Sequence, residues 1–228
     1  VYQAAQTSYS IQDGELTVDL TTTAANNVAI TKRFIFDAQD YLIRIQYLVA
    51  NNSASDWRAT LFGQIKRDRS VDPSSLAGVG RNTFLGAAMT APDDPYLKRD
   101  FDDIDDGAPA YNMLGGWIAF SQHYFLGAWI APAQATNNFS TRRNNNREYL
   151  LTFTSEETVV PAGQEAVIEA SFWAGPKDQD RLESLSADLG KSIDYGKLWI
   201  VAYPMFWLLS LINENVGNFG WSIVLLTV

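Results

Sequence analysis

Apolar and polar side chains alternate residue by residue along several stretches of this 228-residue chain, and that period limits what it can fold into. In Tyr41-Leu42-Ile43-Arg44-Ile45-Gln46-Tyr47-Leu48-Val49, residues Tyr41, Ile43, Ile45, Tyr47 and Val49 fall on one face. Within residues 164–173, Ala166, Ile168, Ala170 and Phe172 point one way, and Glu165, Glu169 and Ser171 the other. Period two with one polar face marks an antiparallel, half-buried sheet. The same reasoning predicts strands at 15–20, 28–36, 57–65, 116–121, 123–130 and 149–154. Turn residues separate them: Asp13-Gly14, Asn26-Asn27, Asn51-Asn52-Ser53, Asn144-Asn145-Asn146 and Pro161-Ala162-Gly163. Many short strands at this spacing predict a mainly β sandwich up to about residue 175. A hydrophobic content of 46% is enough to fill its core. No internal repeat is present.

The middle of the chain breaks the pattern. Residues 67–112 carry Asp72-Pro73, Ala91-Pro92-Asp93-Asp94-Pro95 and Asp102-Asp103-Ile104-Asp105-Asp106-Gly107. They read as long loops with a short strand near 83–88. Long loops on a rigid scaffold often carry recognition, so 67–112 is the expected partner-facing surface.

The character changes again after Trp173. Asp178, then Leu182, Leu185 and Leu189 at helical spacing, predict a short amphipathic helix. Residues 198–212 then run for 15 residues without a charge. A membrane span needs about 20 apolar residues, so this run is too short to span alone. Pro204 would kink or break a helix there. Trp199, Tyr203, Phe206 and Trp207 are residue types that settle at a membrane–water interface. Asn213-Glu214-Asn215 interrupts the run, and Gly217-Asn218 reads as a turn. A second apolar run follows, with Trp221, Ile223, Val224, Leu225 and Leu226, and reads as the start of a membrane span. Both chain ends read as cuts in a longer protein, because no basic, apolar leader opens the chain.

Composition excludes several functions. A net charge of −9 argues against nucleic acid, which needs clustered Lys and Arg. It equally argues against a polybasic membrane anchor. With no cysteine there is no disulfide, zinc-thiolate site or cysteine nucleophile. His123 is the only histidine, and it lies in an aromatic strand segment without a catalytic partner. The acidic residues Asp100, Asp102, Asp103, Asp105 and Asp106 fail as a calcium loop. With Gly107 at the sixth position, Ile104 and Met113 occupy positions that must be ligands. A solvated acidic loop is the better reading. Leu189-Gly190-Lys191-Ser192 lacks the first glycine of a phosphate loop and follows no strand. Asn51-Asn52-Ser53 and Asn138-Phe139-Ser140 match the glycosylation pattern at chance frequency. Arg142-Arg143 reads as a polar hairpin tip.

Several of these segments resemble the YidC insertase family (YidC/Oxa/Alb). They are Asp194-Tyr195-Gly196-Lys197-Leu198-Trp199, Pro204-Met205-Phe206-Trp207-Leu208-Leu209 and Val216-Gly217-Asn218-Phe219-Gly220-Trp221-Ser222-Ile223. Within the β region, Gly115-Gly116-Trp117-Ile118-Ala119, Gln122-His123-Tyr124-Phe125, Ala128-Trp129-Ile130, Thr136-Asn137-Asn138-Phe139 and Phe172-Trp173-Ala174-Gly175-Pro176 do so too. The resemblance implies a periplasmic β-supersandwich, galactose-mutarotase-like in fold, over 1–176 and truncated at its N-terminus. A linker helix over 177–192, an interfacial helix over 195–214 and the start of a second membrane span over 217–228 would follow. It further implies an insertase and chaperone of the bacterial inner membrane, with the β domain in the periplasm. The implied partners are nascent membrane proteins, the Sec translocon, SecDF and the lipid bilayer. No cofactor, metal or catalytic residue is implied, and the family's hydrophilic groove lies beyond residue 228. A carbohydrate-binding or mutarotase-like module is the competing reading. It requires a cleft where aromatics meet a histidine and carboxylates.

Overall fold

The computed structural model describes residues 1–70, 84–192 and 199–227; for residue 25 and residues 199–203 it describes the backbone alone. The described residues separate into two units, residues 1–192 and residues 193–228.

The first unit is a two-sheet sandwich. Its strands are β1 (Gln3–Ala4), β2 (Glu15–Ala24), β3 (Val28–Asp37), β4 (Leu42–Asn51), β5 (Trp57–Arg67), β6 (Gly86–Ala91) and β7 (Asp94–Arg99). After a short helix α1 (Phe101–Asp105) come β8 (Tyr111–Leu114), β9 (Trp117–Ser121), β10 (Phe125–Ile130), β11 (Thr136–Arg143), β12 (Tyr149–Val160) and β13 (Glu165–Pro176). The larger sheet has nine strands in the order β1-β2-β3-β4-β13-β10-β9-β6-β7, and the smaller has four, β5-β12-β11-β8. Neighbouring strands run antiparallel throughout.

Alternation explains the core. From the larger sheet, Met89, Ile118 and Phe120 face Phe139, Tyr149, Leu151 and Phe153 of the smaller sheet. The intervening residues Ala88, Trp117, Ala119, Ala128 and Trp173 lie on the outer side, under Leu182 and Leu189. Residues 177–192 therefore form a strap across the outer face. The strap holds helix α2 (Gln179–Leu185) and a 3-10 turn (Leu189–Ser192). Asp178 caps α2, accepting from the Arg181 amide at 3.1 Å. The Trp117 indole donates to the Ala187 carbonyl at 3.2 Å, and Leu182 and Leu189 are fully buried.

The middle of the chain departs from the loop expectation. Residues 86–114 hold β6, β7, α1 and β8, and Ala87, Ala88, Met89, Phe101 and Ile104 belong to the core. Strand β6 is buried on both faces, which removes the alternation that marks a half-buried strand. The predicted strand near 83–88 thus moves to Gly86–Ala91, and residues 71–83 lie outside the described residues. Among the described residues, the segment is therefore not the run of long loops expected over 67–112. The acidic stretch is solvated, with its five aspartates exposed, but it is a short helix and not a loop. Asp100 and Asp103 form a capping box at the start of α1, and Phe101 and Ile104 enter the core. Arg142-Arg143 and the three asparagines after them do lie at a polar hairpin tip: the two arginines close β11, paired with β12, and residues 144–148 form the turn between the strands.

Strand β11 also went unpredicted. Its inward positions are Asn137, Phe139 and Thr141, so two of three are polar. The fully buried Asn137 shares its two side-chain N–H groups among the carbonyls of Gly115, Pro132 and Ala135 at 2.9–3.0 Å, while its side-chain oxygen has no hydrogen-bond partner among the described residues. These bonds hold the turns that flank β9 and β11.

Candidate functional site

The second unit is a pair of helices, α3 (Trp199–Val216) and α4 (Phe219–Thr227). Gly217 lies between them at φ 66°, a left-handed conformation that glycine adopts without a Cβ clash. Its amide donates back to the Asn213 carbonyl at 2.7 Å, which ends α3. Asn218 then opens α4, its side-chain oxygen accepting from the Gly220 amide at 2.9 Å. The turn expected at Gly217-Asn218 is therefore built from a helix stop and a helix start.

The pair exposes apolar side chains. Met205, Phe206, Trp207 and Leu208 occupy four consecutive positions of α3 and all are exposed, so the apolar surface runs round the helix. Trp207 is 60% exposed and Trp221 is 65% exposed, alongside Phe219, Ile223, Val224 and Leu225. Soluble surfaces rarely carry so large a contiguous apolar patch. Of the predicted interface residues, Phe206 and Trp207 lie in this patch. The backbones of Trp199 and Tyr203 are helical, and their side chains lie outside the described residues. Among the residues predicted to start a span, Trp221, Ile223, Val224 and Leu225 are exposed and Leu226 is half-buried. Among the described residues, no helix is long and apolar enough to cross a membrane. The nine residues of α4 rise about 14 Å, against a hydrocarbon core of about 30 Å.

Among the described residues, an apolar groove of about 320 Å³ lies beside edge strand β5. Tyr2, Tyr47, Trp57 and Phe62 contribute its aromatics, with Ile30 and Ile168. Burial, and then the neighbouring Tyr47, push the Tyr2 hydroxyl above its ordinary pKa. No histidine or carboxylate lines this groove. His123 sits in the turn joining β9 to β10, not in a strand, with its ring edge-on to Tyr124 at 4.0 Å. Among the described residues, no cluster of three or more His, Cys, Asp or Glu could hold a metal ion. The acid–base convergence that a mutarotase-like reaction needs is thus not assembled in this groove.

Known proteins set this architecture in context. The family model described as the YidC periplasmic domain matches residues 1–208. The chain belongs to the YidC family. The membrane protein insertase YidC of Stutzerimonas stutzeri is 43% identical over the full chain, and that of Azotobacter vinelandii is 42% identical. The chain spans about 41% of the length of each of these relatives. They are named insertases and not enzymes. Among solved structures, an α-galactosidase from Geobacillus stearothermophilus is similar, with TM-score 0.52 and 6% identity. That match covers 81% of this chain and 29% of the other. At such low identity the likeness concerns fold alone. The chain is a mainly β, two-sheet sandwich with helices at its C-terminal end. What catalytic relatives of the fold do in their clefts does not carry over to this YidC domain.

Sequence reasoning missed one polar centre of the YidC domain. Asp105 accepts from the Tyr149 hydroxyl at 3.0 Å and from Arg143 at 3.1 Å, with Arg69 at 3.6 Å. Burial, and then Asp105, push the Tyr149 hydroxyl above its ordinary pKa. The partners come from residues 69, 105, 143 and 149, so no local motif could announce the centre. Its role is structural.

Proposed function

We propose that this chain is the periplasmic part of an inner-membrane insertase that inserts and helps fold membrane proteins, alone or with the Sec translocon and SecDF. The observation that carries this reading is the family match over residues 1–208, joined to 43% identity along the full chain. The sandwich serves as a scaffold in the periplasm. Helices α3 and α4 serve as its attachment to the bilayer, through Trp199, Tyr203, Phe206 and Trp207 at the interface and Trp221 to Leu226 entering the span. The exposed aromatics suit the interfacial zone, where an apolar ring meets a wet headgroup layer. Nascent membrane proteins are the clients.

The test uses the full-length protein in cells depleted of their own insertase. Restored insertion of a client into the inner membrane, read by protease protection, is the expected result. Failure of a well-expressed full-length protein to restore any client would overturn the reading. A sugar-binding module is the weaker alternative, since the groove beside β5 holds aromatics without an acid or a base.

A further inference from the structure

Resting on the reading that α3 and α4 lie against lipid, we infer that this attachment is blind to headgroup charge, so the surface fits the apolar zone of a neutral bilayer. The first observation is charge. Residues 199–227 contain no lysine or arginine, Glu214 is their only carboxylic acid, and Lys197 just ahead of them is matched in charge by Asp194. Attraction to anionic lipid requires basic residues close to the surface, and the helices supply none. The chain as a whole carries −9, so it offers no net attraction to an anionic leaflet.

The second observation is how the polar side chains of the pair are used. Asn215 donates to the Leu211 carbonyl at 2.9 Å, Ser222 to the Asn218 carbonyl at 2.9 Å and Thr227 to the Ile223 carbonyl at 3.0 Å. Asn218 accepts from the amides of Gly220 and Trp221. These four residues are spent on their own helices, as a low-dielectric medium demands, whereas the Asn213 side-chain oxygen is buried without a partner among the described residues. Few donors remain for phosphate, and the exposed surface is Met205, Phe206, Trp207, Trp221, Val224 and Leu225 with their apolar neighbours. Such a surface gains by leaving water, and that gain does not depend on salt.

The experiment is flotation of the 228-residue chain with phosphatidylcholine vesicles, at low and high salt, repeated with phosphatidylglycerol mixed in. The chain is expected to float with neutral vesicles to the same extent, within about twofold, at both salt concentrations, because no exposed ion pair is being screened. Added anionic lipid is expected to leave flotation unchanged within about twofold, and a larger change in either direction would count against the inference. The double variant Phe206→Glu with Trp207→Glu is expected to lose at least roughly tenfold in binding to neutral vesicles, since two anchors become charged. Flotation only with anionic vesicles, lost at high salt, would overturn the inference while leaving lipid attachment standing. Flotation with no vesicle of either kind would overturn the attachment reading beneath it.

Discussion

Arg181 and Asp40 stand 141 residues apart in the chain and meet on the outer side of the larger sheet, where the Arg181 Nε donates to the Asp40 carboxylate at 3.1 Å. A second guanidinium nitrogen reaches the same oxygen. The pair pins α2 to the turn between β3 and β4, so the strap is held by charge at one end and by Leu182, Leu189 and Trp117 along its length.

The Arg181 guanidinium holds the Asp40 carboxyl below its ordinary range, with the Tyr41 and Leu42 amides adding to the effect. A carboxyl depressed in the folded state contributes stability that is present above its unfolded value and lost as pH falls through its folded value. The contribution should therefore fade below about pH 4. Asp40→Asn should cost about 1 kcal/mol at neutral pH, a modest figure because Arg181 is 40% exposed and water screens the pair. Urea titrations of both proteins from pH 7 downward would check this. The gap between them should narrow in acid, and a constant gap would count against the assignment.

Leu182 is fully buried against Trp117 and Trp173 under the strap. Truncation to alanine should cost about 2–5 kcal/mol, the range for emptying a core site. Trp117→Phe keeps most of the ring but leaves the Ala187 carbonyl without its indole donor, at about 1 kcal/mol. Chemical denaturation should rank Leu182→Ala well below Trp117→Phe in stability.

Gly63 is required by packing and not by backbone conformation. A Cβ there would lie 2.2 Å from Phe153 Cε1 and 2.8 Å from Trp129 Cδ2. Both rings belong to the packing between the sheets, so neither can withdraw freely. Gly63→Ala should lower stability by about 1–3 kcal/mol through overpacking. Adding Phe153→Leu should make the alanine less costly than it is alone. Additive losses in a thermal melt would rule out the steric explanation.

Tyr149 is buried to 1% exposure and donates a hydrogen bond from its hydroxyl to Asp105. Asp105→Ala should cost about 1–3 kcal/mol, because it strands a buried hydroxyl and removes the acceptor for Arg143. Tyr149→Phe alone should cost less, since nothing polar is left buried in the ring's place. The double variant should be less destabilised than the sum, and a double-mutant cycle in urea reads that coupling directly.

Much of the sandwich was legible along the chain. Strands β3, β4, β5 and β13 alternate on one face and are bounded by turn residues, so neighbours only two positions away disclose them. Asp178 and Leu182 announced α2, and Gly217-Asn218 announced the break between α3 and α4, because caps and turns are local too. Strands β6 and β11 were not legible in the same way. Gly86–Ala91 is buried on both faces and loses its alternation, while β11 turns two polar residues inward, Asn137, whose side-chain nitrogen meets three carbonyls, and Thr141, whose buried hydroxyl has no hydrogen-bond partner among the described residues. The acidic run around α1 looked like a solvated loop for the same reason. Its charges are organised by Arg69, Arg143 and Tyr149, which are distant in sequence.

By itself, then, the order of residues determined the β character of the first unit, the family, and an apolar helical tail almost without charge. Tertiary structure decided which faces of the larger sheet are covered and where residues 177–192 lie. It also decided that the middle of the chain is core, and that Asp105 and Asn137 are structural centres. Periodicity, capping and turn propensity act within a few residues and can be read along the chain. Burial of a second face, or satisfaction of an inward polar group, depends on what another part of the chain brings, and only the packed molecule supplies that.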